Sequence, residues 1–489
     1  MRFDNSYARL PDRFYTRLRP TPVAAPGLIR VNDALARQLR IDPDWLTSAE
    51  GTAVIAGNRI PEGADPIATV YAGFQFGSWV PRLGDGRAIL LGEVIAVDGV
   101  RYDIQLKGCG RTPYSRNGDG RAPLGPILRE YIVSEAMAAL GIPTSRVLAA
   151  VSSGEWVVRD GAEPGGVLVR VAQSHIRIGT FQFFSAQQDQ DALRLLADHV
   201  IQRHFPDVAQ AENPYRAMLD SVIAQQAELI ASWQLVGFIH GVMNTDNMLV
   251  SGETIDYGPC AFMDAFDPAA VFSSIDHNGR YAYNNQPAIA HWNLAGLAQA
   301  LLPLLDRDQH RALTMAQDSI NAFPERFQNA YLQGISKKLG FAESTPDDQT
   351  LIDDLLTLMA EEKSDFTLTF RRLAELADAG PDTASNLGNL FELPDAFTPW
   401  LCRWHNRLAS DPRDSLTRQA DMLAVNPAFI ARNHLVEEAI QAATSNQDFE
   451  PFHKLIDLLA APYAYHPRHA SYATPPRPEQ QVRQTFCGT

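Results

Sequence analysis

The stretch His240-Gly-Val-Met-Asn-Thr-Asp-Asn-Met-Leu-Val250, with Thr254-Ile-Asp-Tyr-Gly258 close behind it, decides the fold. A helical pattern over 215–240 leads into it. A polar loop follows, then a short strand over 248–250 and a turn at 255–258. Loop and turn deliver hard oxygen donors: the amide of Asn247 and the carboxylates of Asp246 and Asp256. An amide oxygen and a carboxylate held close together suit magnesium, which takes few protein ligands and binds phosphates with the rest.

The order of these residues follows the protein-kinase pattern, in which a catalytic loop H-x-D-x-x-x-x-N precedes D-F-G. His240 and Asn247 keep the first and last loop positions, and Asp256-Tyr-Gly stands for D-F-G. Two residues after the histidine, where a kinase has its catalytic aspartate, stands Val242. Valine accepts no proton, which puts the usual phosphoryl-transfer route in question. Asp246 is the nearest carboxylate able to act as base.

Outward toward the N-terminus, strands over 88–97 and 101–107 are joined by the hairpin signal Asp98-Gly99. Lys107 ends the second strand, where a lysine facing a cleft neutralises phosphate; a solvated surface lysine is the plainer reading. A helix over 124–140 follows, with Pro126 in its first turn, Gly141 as C-cap and Pro143 beyond. It carries Glu130, an ion-pair partner for Lys107, with Glu135 as competitor. Before the first strand lies Arg82-Leu-Gly84-Asp-Gly86-Arg87. Its glycines let backbone amides approach an anion, although the same residues also make an ordinary turn. Asp119-Gly120-Arg121 repeats the theme. Arg170, inside an apolar strand over 165–171, needs an anion or a carboxylate; Arg177 follows. Arg87, Lys107, Arg170 and Arg177 form the cationic set a triphosphate needs, unless each serves a separate structural carboxylate. A P-loop and a G-x-G-x-x-G after a strand are both absent.

The gross order is strands with one prominent helix, then helices from about 186 to 442 and an extended tail from 462. That order predicts an α+β fold with a nucleotide between two parts, 1–185 and 186–489. Residues 1–65 read as irregular with short helical pieces. The 489 residues carry a net charge of −15, which argues against a nucleic-acid binder. The N-terminus lacks a signal-peptide core, and no apolar run approaches the roughly 18–20 residues that span a bilayer, so a cytoplasmic protein without membrane contact is expected. The four cysteines, Cys109, Cys260, Cys402 and Cys487, show no Cys-x-x-Cys pair.

The sequence resembles the selenoprotein O family, kinase-like protein adenylyltransferases, over nearly its whole length. The resemblance rests on Tyr71-Ala-Gly-Phe-Gln-Phe-Gly-Ser-Trp-Val-Pro-Arg-Leu-Gly-Asp-Gly-Arg87 and Gln105-Leu-Lys-Gly-Cys-Gly-Arg-Thr-Pro-Tyr-Ser-Arg116. Gly118-Asp-Gly-Arg-Ala122, Asn244-Thr-Asp-Asn-Met248 and Ile255-Asp-Tyr-Gly-Pro259 complete it. It implies a two-lobed protein-kinase-like fold, with a strand-rich N-lobe and a helical C-lobe bearing extra helices and a C-terminal tail. It implies ATP in a flipped orientation, with AMP passing to a Ser, Thr or Tyr hydroxyl of a target protein. By matching position, Gly84, Gly86, Arg87, Lys107, Asp119, Gly120, Arg170, Arg177 and Asp256 would contact ATP. Glu130 would orient Lys107, Asn247 and Asp256 would bind Mg2+ or Mn2+, and Asp246 would be the base. The family carries selenocysteine or cysteine third from the C-terminus; Cys487-Gly-Thr489 matches with cysteine, which leaves two readings open: a redox bridge from Cys487 to Cys260, or a free tail thiol and a separate buried core thiol. A phosphotransferase using Asp246, a non-catalytic nucleotide-binding scaffold, and UMP transfer from UTP stay open.

Overall fold

Two long hairpins form the middle of the molecule, and the rest is laid around them. The computed structural model describes residues 1–159, 161–345, 347–377 and 392–486. Its strands in chain order are β1 (Tyr15–Arg17), β2 (Gly27–Val31), β3 (Ile67–Thr69), β4 (Gly73–Gln75), β5 (Ser78–Val80) and β6 (Ala88–Ile95). They continue with β7 (Arg101–Lys107), β8 (Ala122–Pro123), β9 (Arg146–Val158), β10 (Ala162–Ala172), β11 (Phe238–Ile239) and β12 (Ala261–Phe262). The main sheet runs β1-β3-β6-β7-β10-β9-β2, with β8 beside β10. Its pairings are antiparallel. Leu168 lies opposite Lys107, and Arg170 opposite Gln105, so both cations project from neighbouring central strands. The pair β4–β5 is a separate hairpin.

The helices before the middle of the chain are α1 (Asp33–Gln38), α2 (Pro43–Thr47), α3 (Ala49–Ile55), α4 (Leu124–Ala139), α5 (Ile178–Ala186), α6 (Gln190–His204) and α7 (Pro214–Leu235). Those after it are α8 (Gln286–Leu305), α9 (Gln309–Asn321), α10 (Phe323–Lys338), α11 (Asp348–Glu361), α12 (Phe366–Leu376), α13 (Thr398–Ala409), α14 (Ser415–Val425), α15 (Asn433–Asn446), α16 (Glu450–Leu459) and α17 (Ala470–Ala473). The fold is thus mixed α and β, a strand-rich sheet followed by many helices.

Helix α4 positions the site. It is apolar almost all round, and it packs on β9 and β10 at one side and on α15 and α16 at the other. Its buried Leu128, Tyr131, Ile132 and Met137 each stabilise the fold by roughly 1.5–3 kcal/mol. It stops at Gly141, whose φ of +79° suits glycine, while the Ile142 amide donates back to the Met137 carbonyl at 3.0 Å.

Several expectations change. Residues 1–65 contribute β1 and β2 to the main sheet, because their pairing partners lie far along the chain. The stretch 146–158 forms a single long strand. The helical run expected from about 186 starts earlier, with α5 at Ile178, and resumes at Gln190; the helix expected to reach 240 stops at Leu235, before Gly237 turns the chain with φ +69°. The strand expected at 248–250 is reduced to isolated bridges, Met248 to Thr254 and Leu249 to Arg177. The tail folds into short helical turns. Among the described residues one helix, Tyr283–Leu305, is long and apolar enough to cross a membrane, contrary to the sequence reading. It packs against α5, α7 and α9, and its Asn293 is buried.

Candidate nucleotide site

The loop 240–258 is shaped by its own polar groups. His240 stacks on Trp233, and its Nε2 donates to the Ile255 carbonyl at 2.8 Å. Its Nδ1 accepts from the Val242 amide at 3.3 Å. One buried ring therefore ties the start of the loop to the turn that carries Asp256. Asp256 itself has φ +66°, a left-handed conformation that aspartate tolerates better than bulky residues. The Tyr257 hydroxyl bonds that of Thr144, fixing the turn against the base of the sheet.

Across from the loop stand the cations of the sheet. Lys107 Nζ lies 2.5 Å from Glu130 Oε2 and 3.0 Å from Asp256 Oδ1. Arg170 Nε donates to Glu130 Oε1 at 2.7 Å, and its Nη1 to Gln105 Oε1 at 3.2 Å. Glu130 is thus bracketed by two cations. Burial would raise its pKa, but Arg170 and Lys107 outweigh burial and hold it below the usual range. Glu135, the competitor, instead takes Arg146 and Asn32. Asp256 follows the same logic as Glu130. Burial works against its charge, yet Lys107, Arg170 and Arg87 keep it ionised. Its side chain remains 24% exposed.

Asp246 is the opposite case. Its Oδ2 accepts from Gln75 Nε2 at 3.1 Å, while its Oδ1 is buried and has no hydrogen-bond partner. Burial pushes its pKa up to about 6, against the opposing pull of Gln75 and Arg177. Asn247 Nδ2 donates to the Val242 carbonyl at 3.0 Å, which leaves its Oδ1 only a 3.5 Å contact from Arg177. Arg177 stacks 4.5 Å over the Tyr71 ring and donates to the Asp246 carbonyl.

The glycine loops close the far side. Asp85 accepts from the Thr69 amide at 2.9 Å and hydroxyl at 2.7 Å, and so pins Gly84–Arg87 to β3. Thr112 donates to the Asp85 carbonyl, which seats one loop on the other. Gly120 has φ +69°, and a Cβ there would overlap the Gly110 carbonyl. Asp119 pairs with Arg159 at 3.0 Å.

These walls enclose a cavity of about 630 Å³, within the usual size of a ligand pocket. Gly84, Gly86, Arg87, Lys107, Asp119, Gly120, Arg170, Arg177, Asp246, Asn247 and Asp256 all line it, and Val242 lies among them. Glu130 stands behind Lys107 and Arg170. Tyr71, Gln75 and Asp85 also line the cavity. No spacing rule points to them; they lie only within strings that carry the family resemblance. Cys260 is buried, which pushes its thiol up to about 12. Cys487 lies outside the described residues, although the Thr485 hydroxyl reaches the Pro259 carbonyl at 2.6 Å.

The family model described as protein adenylyltransferase SelO matches residues 1–460. A protein nucleotidyltransferase YdiU of Rhodopseudomonas palustris strain BisB5 is 60% identical over 487 residues, which is 100% of this chain and 99% of the relative. The one of Bradyrhizobium diazoefficiens shows the same identity and the same coverage. The match spans the sheet, the cavity and most of the helices alike: the chain belongs to the SelO family of protein adenylyltransferases.

Proposed function

We propose that the protein transfers AMP from ATP to Ser, Thr or Tyr hydroxyls of target proteins. One observation carries this reading. A cavity of triphosphate size is walled by Arg87, Lys107, Arg170 and Arg177, and the carboxylate of Asp246, one of its oxygens without a hydrogen-bond partner, lines it beside Asn247, while Val242 takes the place of the kinase base. Residues 1–185 and 186–489 act as the two lobes of a kinase-like fold, with ATP between them. Gly84, Gly86, Asp119 and Gly120 bring backbone or carboxylate against the nucleotide, and the four cations bind its phosphates.

In the proposed reaction the acceptor hydroxyl gives its proton to the Asp246 carboxylate. The hydroxyl oxygen attacks the α-phosphorus and forms the new O–P bond. The bond from that phosphorus to its bridging oxygen breaks, and pyrophosphate leaves with the electron pair. Arg87, Lys107, Arg170 and Arg177 stabilise the charge that spreads over the phosphates. Asn247 and Asp256 fit a divalent ion. Both are hard oxygen donors, Asp256 is kept ionised and partly exposed, and the Asn247 amide nitrogen is already engaged, which frees its oxygen. Bound Mg2+ or Mn2+ would supply positive charge beside the phosphates. A cytoplasmic location and a Cys260–Cys487 bridge belong to the same reading. Thr485 at Pro259 supports the bridge by bringing the tail beside Cys260. Peptide mapping of oxidised protein should recover the linked pair; its absence would remove the bridge.

Incubation with ATP labelled at the α- or the γ-phosphate tests the main reading. Protein should take label from the α position only. Incorporation from γ alone would show phosphoryl transfer, and no incorporation with intact ATP binding would show a scaffold. Competition with UTP under Mg2+ and Mn2+ separates AMP from UMP transfer.

A further inference from the structure

The small hairpin β4–β5 stands apart from the main sheet, yet it is fastened to the catalytic loop at three successive residues. The Phe74 amide donates to Thr245 Oγ1 at 2.8 Å. The Gln75 side chain donates to Asp246 Oδ2 at 3.1 Å. The Phe76 amide donates to Asn244 Oδ1 at 3.1 Å. Phe74 and Gln75 end β4 and Phe76 opens the turn with φ +51°, so the contacts run from the strand end into the hairpin turn. Gly73 completes the clamp: a Cβ there would overlap Asp246 Oδ1. The carboxylate is therefore held at one oxygen by Gln75, while the other packs against Gly73 without a hydrogen-bond partner. The bare Oδ1 belongs to a buried residue that lines the cavity.

We propose that Gln75 is a positioning residue for the transfer reaction: its amide anchors Asp246 Oδ2 and so fixes the orientation of the carboxylate at the cavity wall. The inference rests on the reading of Asp246 as proton acceptor. Gln75 acts through Asp246 and forms no bond to phosphate. The Phe74 and Phe76 amides hold the loop that Asp246 stands on, so loss of Gln75 alone leaves that loop attached and frees only the carboxylate to turn.

The test uses the full-length protein and compares Gln75→Met, which keeps side-chain length without a donor, with Asp246→Asn and the double variant. Turnover by Gln75→Met at saturating ATP should fall by about 10- to 100-fold, the scale at which slight misplacement of a reacting group acts. The ATP dissociation constant, measured by calorimetry, should stay within about 2-fold, and the melting temperature should hardly move. In the Asp246→Asn background, Gln75→Met should add no further loss, because there is no carboxylate left to position. Wild-type turnover by Gln75→Met would overturn the inference. So would a loss matched by weaker ATP binding, or one that adds in full to that of Asp246→Asn. Full activity of Asp246→Asn would instead overturn the reading beneath it. Gly73→Ala offers a second check: it should lower turnover by turning the carboxylate while Gln75 remains, and unchanged turnover would show that orientation of Asp246 does not matter.

Discussion

Two buried clusters of arginine and carboxylate draw on the stretch 240–264, and they are built to different ends. In the helical half, Arg432 donates to Asp264 Oδ1 at 2.5 Å, to Asp365 Oδ2 at 2.9 Å and Oδ1 at 3.2 Å, and to the Ala473 carbonyl at 3.0 Å. Every nitrogen of that guanidinium is used. In the cleft, Arg177 Nε and Asp246 Oδ1 are buried without partners, and the carboxylate of Asp256 faces the cavity. Unpaired polar atoms of this kind are costly to bury. A closed cluster holds elements together; an open one has capacity left for a ligand. The difference separates structure from function more sharply than burial or charge does, since both clusters are buried and both are charged.

The sharpest way to break the comparison is to remove one carboxylate from the open cluster. Asp256→Asn keeps the side-chain shape and a residue that accepts the left-handed backbone. It removes the charge that faces Lys107 and the proposed metal. Activity should fall by about 1,000-fold or more, with little change in the unfolding midpoint. Rates near wild type would show that Asp256 has no role in transfer.

The closed cluster should respond the other way round. Arg432→Ala leaves the carboxylates of Asp365 and Asp264 buried without their counter-ion. Breaking a buried pair from one side costs about 3–5 kcal/mol, so denaturant unfolding should show a loss of that size. Arg432→Met, which fills the space, should lose less than Arg432→Ala. An unfolding midpoint unchanged in both variants would mean that the cluster holds nothing together.

Much of the open cluster was legible in the sequence because each part has a local signal. The Asp98-Gly99 turn placed Lys107 at a strand end, Gly141 marked where the helix bearing Glu130 stops, and the spacing from His240 to Asp256 ordered the loop. An arginine in the apolar strand at 170 declared its own need for a carboxylate, and Glu130 meets it. The partners that local signals cannot show are those that tertiary packing alone brings together. Gln75 and Asp246 are 171 residues apart. Arg432 meets Asp264 across 168 residues, and nothing in Ala431-Arg-Asn433 sets that arginine apart from a surface one. β2 was missed for the same reason: its ladder to β9 joins residues more than a hundred positions apart, and its own five residues show no alternation.

A third buried cation sharpens the comparison, since among the described residues it has no carboxylate partner. Lys338, at the end of α10, is buried, with its Nζ 4.4 Å from the centre of the Phe370 ring. The ring face attracts a cation, by up to about 2 kcal/mol when water is excluded. Burial works harder in the other direction and brings the pKa down from 10.5 to about 7. Between those two values the unfolded chain holds a proton at this lysine that the folded one has released. Raising the pH through that window therefore favours the folded state, by at most about 1.4 kcal/mol per pH unit from this group. Below about pH 7 both states are protonated and the cost of burying the charge is constant; above 10.5 neither is, and the cost is gone. Lys338→Met keeps the volume and has no proton to lose. Its advantage over wild type in unfolding free energy should be largest at or below pH 7 and shrink steadily toward pH 10. A parallel pH dependence in the two proteins would mean that Lys338 stays charged, held by the Phe370 face rather than neutralised by burial.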